Sequence, residues 1–205
     1  MPRLSEERRE ERRRHILTSA WSCFSRNGFH ATSMDDVIAA TGMSSSAVYR
    51  YFRSKDDLID AAADEALTLV RDMFGRLLEQ RPTPSPVEVL EAMTAEARER
   101  GEGRPYDLTR IAIQAWGEAL RDPDIEQRTR SFYLSVRDSI AELARRWRKE
   151  GTLPATADPE EVATVLMTLM PGLLVGRHLV APVDAEQLAH GLASLALAFS
   201  DASRS

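Results

Sequence analysis

Apolar residues recur every three or four positions along most of this chain, which is the spacing of one face of an α-helix. A first stripe of this kind at 15–25 predicts a helix, and the Asn-Gly pair that follows it is typical of a helix end. Between Thr32 and Lys55 two shorter helical patterns lie on either side of Gly42. Glycine accepts the positive φ that such a reversal often needs, so this stretch predicts two short helices joined by a tight turn.

The same periodicity continues through the rest of the chain, interrupted by short links. The run R-P-T-P-S-P at 81–86 predicts a loop, because proline cannot continue a helix. Helices are expected from Ser54 past Phe74 to Gly75, from about Val87 to Glu99, from Pro105 to about Leu120, from Pro123 to about Glu150, from Asp158 through a kink at Pro171 and Gly172, and from Asp184 onward. The pattern therefore predicts an all-α protein.

The last two predicted helices carry more apolar surface than one helical bundle of this size obviously needs. The run V-A-T-V-L-M-T-L-M-P-G-L-L-V-G at 162–176 is too apolar to face water on any side, yet too short to span a bilayer comfortably. In the final helix, apolar residues spaced by four, three and four positions form a seam that fits another helix. Two packed copies would bury this surface, so we predict a homodimer through Leu188, Leu192, Leu195 and Phe199.

The second of the two short helices has an inward and an outward side. Val48 and Phe52 are four residues apart and face inward, while Ser44 or Ser45 is placed to cap the first turn. A helix that exposes small polar residues first, and aromatic and basic residues after them, suits insertion into a DNA major groove from its N-terminal end. The later exposed residues are expected to be Tyr49, Arg50 and Tyr51.

A family resemblance rests on the run G-F-H-A-T-S-M-D-D-V-I-A-A-T-G-M-S-S-S-A-V-Y-R-Y-F-R-S-K-D-D-L, from Gly28 to Leu58. It resembles the DNA-binding signature of TetR-type (TetR/AcrR-like) transcriptional regulators. The shared features are the Gly-aromatic step before Thr32, the turn at Gly42, Y-x-Y-F in the recognition helix, and S-K-x-x-L at the start of the next helix. Ile38 departs from the pattern, because the family usually has a small Ala where the two helices cross.

The resemblance implies a helix-turn-helix head followed by a helical body. The head and its N-terminal arm are expected at 1–53, with the helix-turn-helix at about 33–52 and the signature running on to about 70. The body, at 54–205, is expected to serve regulation and dimerisation, with the final two helices forming a four-helix dimer interface. The resemblance implies base contacts from Ser45, Ser46 and Tyr49, and phosphate contacts from Thr32, Ser33, Tyr51 and Lys55. It implies that Arg50 contacts either a base or a phosphate, with Ser44 beside these residues.

A net charge of −5 over 205 residues is unusual for a protein that binds DNA. Residues 1–60 hold ten basic and nine acidic side chains, so they are only slightly more basic than the remainder. Affinity for DNA must therefore come from the local placement of a few arginines and lysines. The charged stretch 2–14 is read as a solvated helix start with i to i+4 pairs, or alternatively as an arm whose arginines touch DNA.

Other chemistries find little support in the sequence. The four histidines are far apart and lie in no metal-binding pattern, and no catalytic motif is present, so we expect no metal, no cofactor and no enzymatic activity. The single Cys23 cannot form an intrachain disulfide and reads as a buried apolar residue. The charged N-terminus and the lack of a run long enough to span a membrane predict a cytoplasmic protein with no membrane partner.

Soft methionines and aromatic residues in the body are most simply core residues, but together they would also line a pocket for a bulky, largely apolar effector. The candidates are Met93, Ile113, Trp116, Phe132, Met167 and Met170, with His178 or Gln114 nearby. The sequence thus predicts a ligand-responsive repressor that binds a palindromic DNA operator as a dimer. The alternatives are a helical ligand-binding or enzymatic bundle whose helix-turn-helix is only structural, and a DNA-binding dimer without a ligand.

Overall fold

The computed structural model describes residues 6–101 and 106–202, with their side chains except at 65, 66, 69, 100, 101 and 197–202. Regular secondary structure in these residues is entirely α-helical, which confirms the predicted fold class. The helices are α1 (Glu6–Asn27), α2 (Met34–Thr41), α3 (Ser45–Tyr49), α4 (Lys55–Glu79), α5 (Pro86–Gly101), α6 (Leu108–Ala119), α7 (Pro123–Glu150), α8 (Pro159–Leu179) and α9 (Ala185–Ala202).

The chain forms two compact units. The first takes its described residues from Met1–Leu69 and Arg100–Thr129, and the second from Val70–Glu99 and Arg130–Ser205. The helices α4 and α7 therefore each contribute residues to both units. The unit that contains the helix-turn-helix extends beyond the predicted head at 1–53, because the first half of α4 and the helix α6 share its hydrophobic core.

The core of the first unit is built on the apolar stripe of α1. Ile16 and Phe24 are fully buried, and the ring of Phe24 meets that of Phe29 edge to face, with the ring centres 5.0 Å apart. Edge-to-face contacts of this kind add to the stabilisation from burial alone. The other buried members come from α1, α2, α3, α4 and α6 and from the link after α3, namely Leu17, Ala20, Trp21, Cys23, Val37, Val48, Phe52, Leu58, Ile59, Ala62, Leu108 and Ile111.

The second unit has its own core around the inward face of α7. Trp147 is buried, and its indole N–H donates to the carbonyl oxygen of Pro84 over 2.6 Å. Arg146 donates to the carbonyl oxygen of Leu78 at 2.8 Å, near the end of α4. These bonds join α7 to the segment between α4 and α5 by satisfying carbonyl groups that have no helical partner.

Several helix boundaries differ from the predicted ones. The helix α4 continues through Gly75 to Glu79, because one glycine weakens a helix without ending it. The helix α6 begins at Leu108, since the carboxylate of Asp107 accepts hydrogen bonds from the backbone N–H groups of Thr109 and Arg110 and caps it there. The predicted start at Pro105 lies outside the described residues. The bounds predicted for α7 are confirmed.

Helix α8 is a single element of 21 residues with Pro171 inside it, and the kink expected at Pro171 and Gly172 stays a prediction. By length and composition alone it could cross a membrane, which corrects the expectation that no run reaches that length. Only 11% of its most apolar stretch is buried in the single chain. Val165, for example, is 52% exposed, and Leu179 and Val180 at the end of the helix are more exposed still.

The predicted seam on α9 is likewise only partly covered. Leu188 and Leu192 are half-buried, and Leu195 is 55% exposed. The side chain of Phe199, the fourth predicted member, lies outside the described part of the structure. Together, α8 and α9 leave apolar side chains exposed in the single chain, as expected for helices that pack against a partner.

Candidate nucleic-acid interface

The start of α2 is held by a reciprocal capping interaction between Ser33 and Asp36. The Ser33 hydroxyl accepts from the Asp36 backbone N–H at 3.1 Å, and the Asp36 carboxylate accepts from the Ser33 backbone N–H at 2.8 Å. The Ser33 hydroxyl also donates to this carboxylate over 2.6 Å. These bonds from the Ser33 side chain and backbone lower the pKa of Asp36 below its ordinary value of 3.8.

The turn between α2 and α3 is fixed by Gly42 and by its neighbours. Gly42 has a φ of +65°, in the left-handed region where a side chain would be strained. The Thr41 hydroxyl donates to the carbonyl of Ile38 at 2.7 Å and accepts from the Met43 N–H at 3.1 Å. From α1, His15 Nε2 donates to the carbonyl oxygen of Thr41 at 2.9 Å. Helix α1 therefore holds the turn as well as the core.

The recognition helix α3 has five residues and is anchored through its inward side. Val48 is fully buried and Phe52, just beyond the helix, is 4% exposed, as predicted from their spacing. Ser44 is the N-cap residue, with an extended backbone, but its side chain makes no capping hydrogen bond and its hydroxyl lies 3.3 Å from that of Ser46. The outward side chains, all exposed, are those of Ser44, Ser45, Ser46, Tyr49 and Arg50.

Besides Ser33, which caps α2, the three other predicted phosphate contacts also have intramolecular roles. Thr32 is only 1% exposed and its hydroxyl donates to the carbonyl of Gly28 at 2.7 Å, so its side chain does not face solvent. Tyr51 is half-buried against the core and is not on the outer turn, where it was expected. The Lys55 ammonium donates to the carbonyl of Phe29 at 3.0 Å. An ammonium has three N–H donors, so Lys55 keeps capacity for a phosphate.

The arginine-rich start of the chain is helical from Glu6 onward, in agreement with its reading as a solvated helix start. Arg13 lies 3.8 Å from Glu10, one turn earlier, and its guanidinium stacks 5.5 Å from the centre of the Phe52 ring. An open groove of about 500 Å³ runs beside α3, lined by Glu11, Arg12, His15, Met43, Ser44 and Ala47. Helix α1 thus adds one arginine to the anchor of α3 and another to the surface next to it.

The residues predicted to line an effector pocket are divided between the two units. Ile113 and Trp116 belong to the first unit and are half-buried. In the second unit Met93 and Phe132 are buried in the core, and Met167 and Met170 on α8 are half-buried. Across the described residues, no cluster of three or more His, Cys, Asp or Glu side chains is placed to hold a metal ion.

Gln114 has a different place from the one expected, which was a pocket. Its side-chain amide accepts from the backbone N–H of Phe29 at 2.8 Å and donates to the carbonyl of Phe24 at 3.2 Å. These partners are 85 and 90 residues away in sequence, so no local pattern could have identified them. Sequence reasoning counted Arg13 among the arginines available to DNA, and it foresaw neither its contact with Phe52 nor the bond from His15 to the turn.

A short helix anchored by buried apolar residues, after a capped helix and a glycine turn, has the geometry of the helix-turn-helix motif of DNA-binding proteins. Comparisons with known families agree. Residues 16–62 match the model of the bacterial regulatory proteins of the tetR family, and residues 86–197 match the C-terminal model of BetI-type transcriptional repressors. The chain belongs to the TetR family of transcriptional regulators. The alternative of a helical ligand-binding or enzymatic bundle whose helix-turn-helix is only structural is not favoured.

Individual relatives are distant but extend over most of the chain. The HTH-type transcriptional regulator UidR of Escherichia coli K12 is 25% identical over 181 residues, which cover 86% of this chain and 84% of that protein. A regulator from Saccharomonospora viridis, solved in complex with choline, has a TM-score of 0.73 at 24% identity and covers 90% of this chain and 95% of its own. A TetR regulator from Chloroflexus aurantiacus gives a TM-score of 0.71 at 24% identity, with 95% and 96% covered.

The capping of α2 predicts a defined pH dependence for the variant Asp36→Ala. Because the folded-state pKa of Asp36 lies below its ordinary value, the ionised carboxylate stabilises the fold above that value. This contribution is lost as the pH falls through the lowered pKa. Wild type should therefore be more stable than Asp36→Ala in urea unfolding at pH 7, and the difference should shrink below pH 3.8. A difference that stays constant down to pH 2.5 would contradict the capping role; about 2.5 is well below the usual pKa of Asp.

Proposed function

We propose that this TetR-family regulator is a ligand-responsive repressor that acts in the cytoplasm, binding a palindromic operator as a homodimer. It acts by binding alone, without enzymatic activity. The observation that carries the proposal is the exposed row of Ser44, Ser45, Ser46, Tyr49 and Arg50 on a helix anchored by buried side chains. The match of residues 86–197 to BetI-type transcriptional repressors supports repression as the direction of regulation.

The exposed row divides by chemistry into base-reading and backbone-binding groups. Hydroxyls at the N-terminal end of α3 can donate to or accept from base edges, and Tyr49, 45% exposed, adds an apolar face and a hydroxyl. Lys55 at the start of α4 and the exposed Ser33 supply backbone contacts, with Arg50 able to bind either a guanine edge or a phosphate. The side chain of Thr32 is left out of this set because its hydroxyl is buried and bonded.

Substitutions at Tyr49 and Lys55 test this division by their different effects on DNA binding. Lys55→Ala should weaken binding to every sequence alike and reduce the salt slope by about one unit, because one phosphate contact is lost. Tyr49→Ala should instead reduce the preference for the selected site over random DNA. Mobility shifts with a duplex selected from random sequence measure both effects. Arg130→Ala, an exposed arginine on α7 outside the helix-turn-helix, is the control. Wild-type binding by both variants would end the assignment.

The dimer is proposed through α8 and α9, whose apolar side chains remain exposed in the single chain. Leu195 and Val165 are each more than half exposed, and Leu192, one turn before Leu195 on α9, is half-buried. Burying such side chains stabilises association by about 25 cal/mol per Å² of apolar surface before the cost of lost freedom is counted. A two-fold dimer presents two recognition helices, so half-sites should lie about one DNA turn apart, roughly 34 Å, or further if the dimer is splayed.

Charged side chains in the proposed seam should abolish the dimer. The double variant Leu192→Glu with Leu195→Glu should sediment as a monomer at a concentration where wild type is a dimer, because two desolvated carboxylates face an apolar partner. Glu186→Gln, which changes an exposed residue of the first turn of α9, is the matched control and should remain dimeric. A monomeric wild type, or a dimeric double variant, would contradict the proposed interface.

Ligand response is proposed from the composition of the second unit and from the choline complex of the Saccharomonospora viridis regulator. Met93, Phe132, Met167 and Met170 all belong to this unit, and the methionines on α8 are half-buried. Methionine adapts its shape readily, so these residues can repack around a bulky, largely apolar effector. Ile113 and Trp116 also stay predicted residues of the effector pocket. The helix α4 has residues in both units, so a ligand that favours one arrangement of α4 can alter DNA affinity.

An effector should raise the melting temperature and lower operator affinity together. A coupling of roughly 1 to 3 kcal/mol corresponds to about 5- to 150-fold weaker binding. A screen of hydrophobic and amphipathic compounds, with choline included, read by thermal shift and by operator release, measures both. Compounds that stabilise the protein without releasing DNA would not be effectors. If no compound has both effects, and Trp116→Ala lowers stability without any other change, the body serves dimerisation alone.

A further inference from the structure

Phe29, in the link between α1 and α2, is held from three directions within the first unit. Its ring is buried edge to face against Phe24 of α1. Its backbone N–H is bonded to Gln114 of α6, and its carbonyl oxygen to the ammonium of Lys55 of α4. Side chains of α4 and α6 therefore bond the backbone of this link on both sides of Phe29, while its ring packs on α1.

The amide of Gln114 is suited to this link because it both donates and accepts. Its Oε1 accepts from Phe29 and its Nε2 donates to Phe24, so the amide spans the helix end on both sides of Gly28. Gly28 has a φ of +86°, the left-handed conformation that lets the chain reverse there. A group with a donor and an acceptor at its tip can make both bonds at once, whereas an ammonium or an ionised carboxylate can make only one of them. The carbonyl of Phe24 also accepts from the backbone N–H of Gly28 at 2.9 Å, so the Gln114 bond is its second.

The position of this link bears on the DNA-binding surface through the residues that follow it. Thr32 donates back to the carbonyl of Gly28, and the next residue, Ser33, is the cap of α2. The start of α2 is therefore tied to the same reversal that Gln114 holds. We propose that Gln114 is a positioning residue for DNA binding: it fixes the backbone from Phe24 to Phe29, and through it the placement of α2 and the recognition helix. It does not touch DNA itself.

The test compares Gln114→Ala with Gln114→Glu in binding to a duplex selected from random DNA by the wild-type protein. Gln114→Ala should weaken binding by the folded protein about tenfold, the equivalent of losing one to two net hydrogen bonds. A carboxylic acid has the shape of the amide and, when protonated, can make both bonds. When ionised it can only accept, and it then faces the carbonyl of Phe24. Binding by Gln114→Glu, relative to wild type, should therefore recover as the pH is lowered from 7.5 to 5, a range of about 2.5 units that brings a carboxyl near its usual pKa.

The other titratable or charged groups near this site are the same in wild type and in every variant. Lys55 comes from α4, His30 lies in the link, and Glu118 and Arg121 come from the end of α6, where His30 Nε2 is 2.9 Å from the Glu118 carboxylate. Their effects cancel when each variant is divided by wild type at the same pH. Gln127→Glu adds the same charge at an exposed position on α7 and should show no pH-dependent recovery.

A purely structural role predicts different results. In that case Gln114→Ala would lower the melting temperature, but the folded fraction would bind the duplex as tightly as wild type, and this would overturn the proposal. The proposal would also be overturned if the ratio of Gln114→Glu binding to wild-type binding did not change between pH 7.5 and 5, a range of about 2.5 units that ends near the usual carboxyl pKa. The ratio is read within one folded variant, so it decides the question even when Gln114→Ala does not fold. Circular dichroism at each pH confirms folding.

Discussion

The DNA-binding surface depends on the burial of Val48 and Phe52. A helix of five residues has too few internal hydrogen bonds to persist in water, because the cost of its first turn is not recovered over so short a length. In this protein the inward side chains supply what the backbone cannot: Val48 is fully buried and Phe52 is covered by the core and by the guanidinium of Arg13. The exposed serines and Tyr49 can therefore be used for contact with DNA, since none of them is needed to hold the helix.

In this acidic chain, the charge of the DNA-binding surface depends on where individual charged side chains lie. Two carboxylates of the helix-turn-helix region are occupied by backbone N–H groups at helix starts: Asp36 accepts from Ser33, and Asp57 accepts from Arg53 at 2.8 Å. Negative charge is favourable at these positions because of the helix dipole. Arg50, just after α3, and the serine hydroxyls at the start of α3 remain on the outer side. A protein with a net charge of −5 can thus present a DNA-compatible surface without a basic domain.

In the second unit, several polar groups around α7 are hydrogen-bonded, whereas apolar side chains on α8 and α9 are exposed. Around α7 the indole of Trp147 and the guanidinium of Arg146 pair with carbonyl groups, and Glu142 accepts from both Arg145 and Arg146. The hydrogen bond from Arg145 is the largest cause that holds the pKa of Glu142 below its ordinary range. On α8 and α9, by contrast, apolar side chains such as Val165 and Leu195 face solvent in the single chain. A folded protomer whose interface is not covered by a partner would show this combination of hydrogen-bonded polar groups and exposed apolar surface.

The sequence by itself determined the helices, the turn and the anchors of the recognition helix, because these depend on spacing within a few residues. Gly42, Val48 and the bounds of α7 were predictable for that reason. Only the tertiary structure decided which polar side chains are exposed and which are bonded within the protein. Thr32 and Lys55 match the family pattern, yet one is buried and the other bonded to Phe29. Gln114 reaches its partners across 85 and 90 residues. Local periodicity carries no information on such pairs, because their distances are set by how the helices pack.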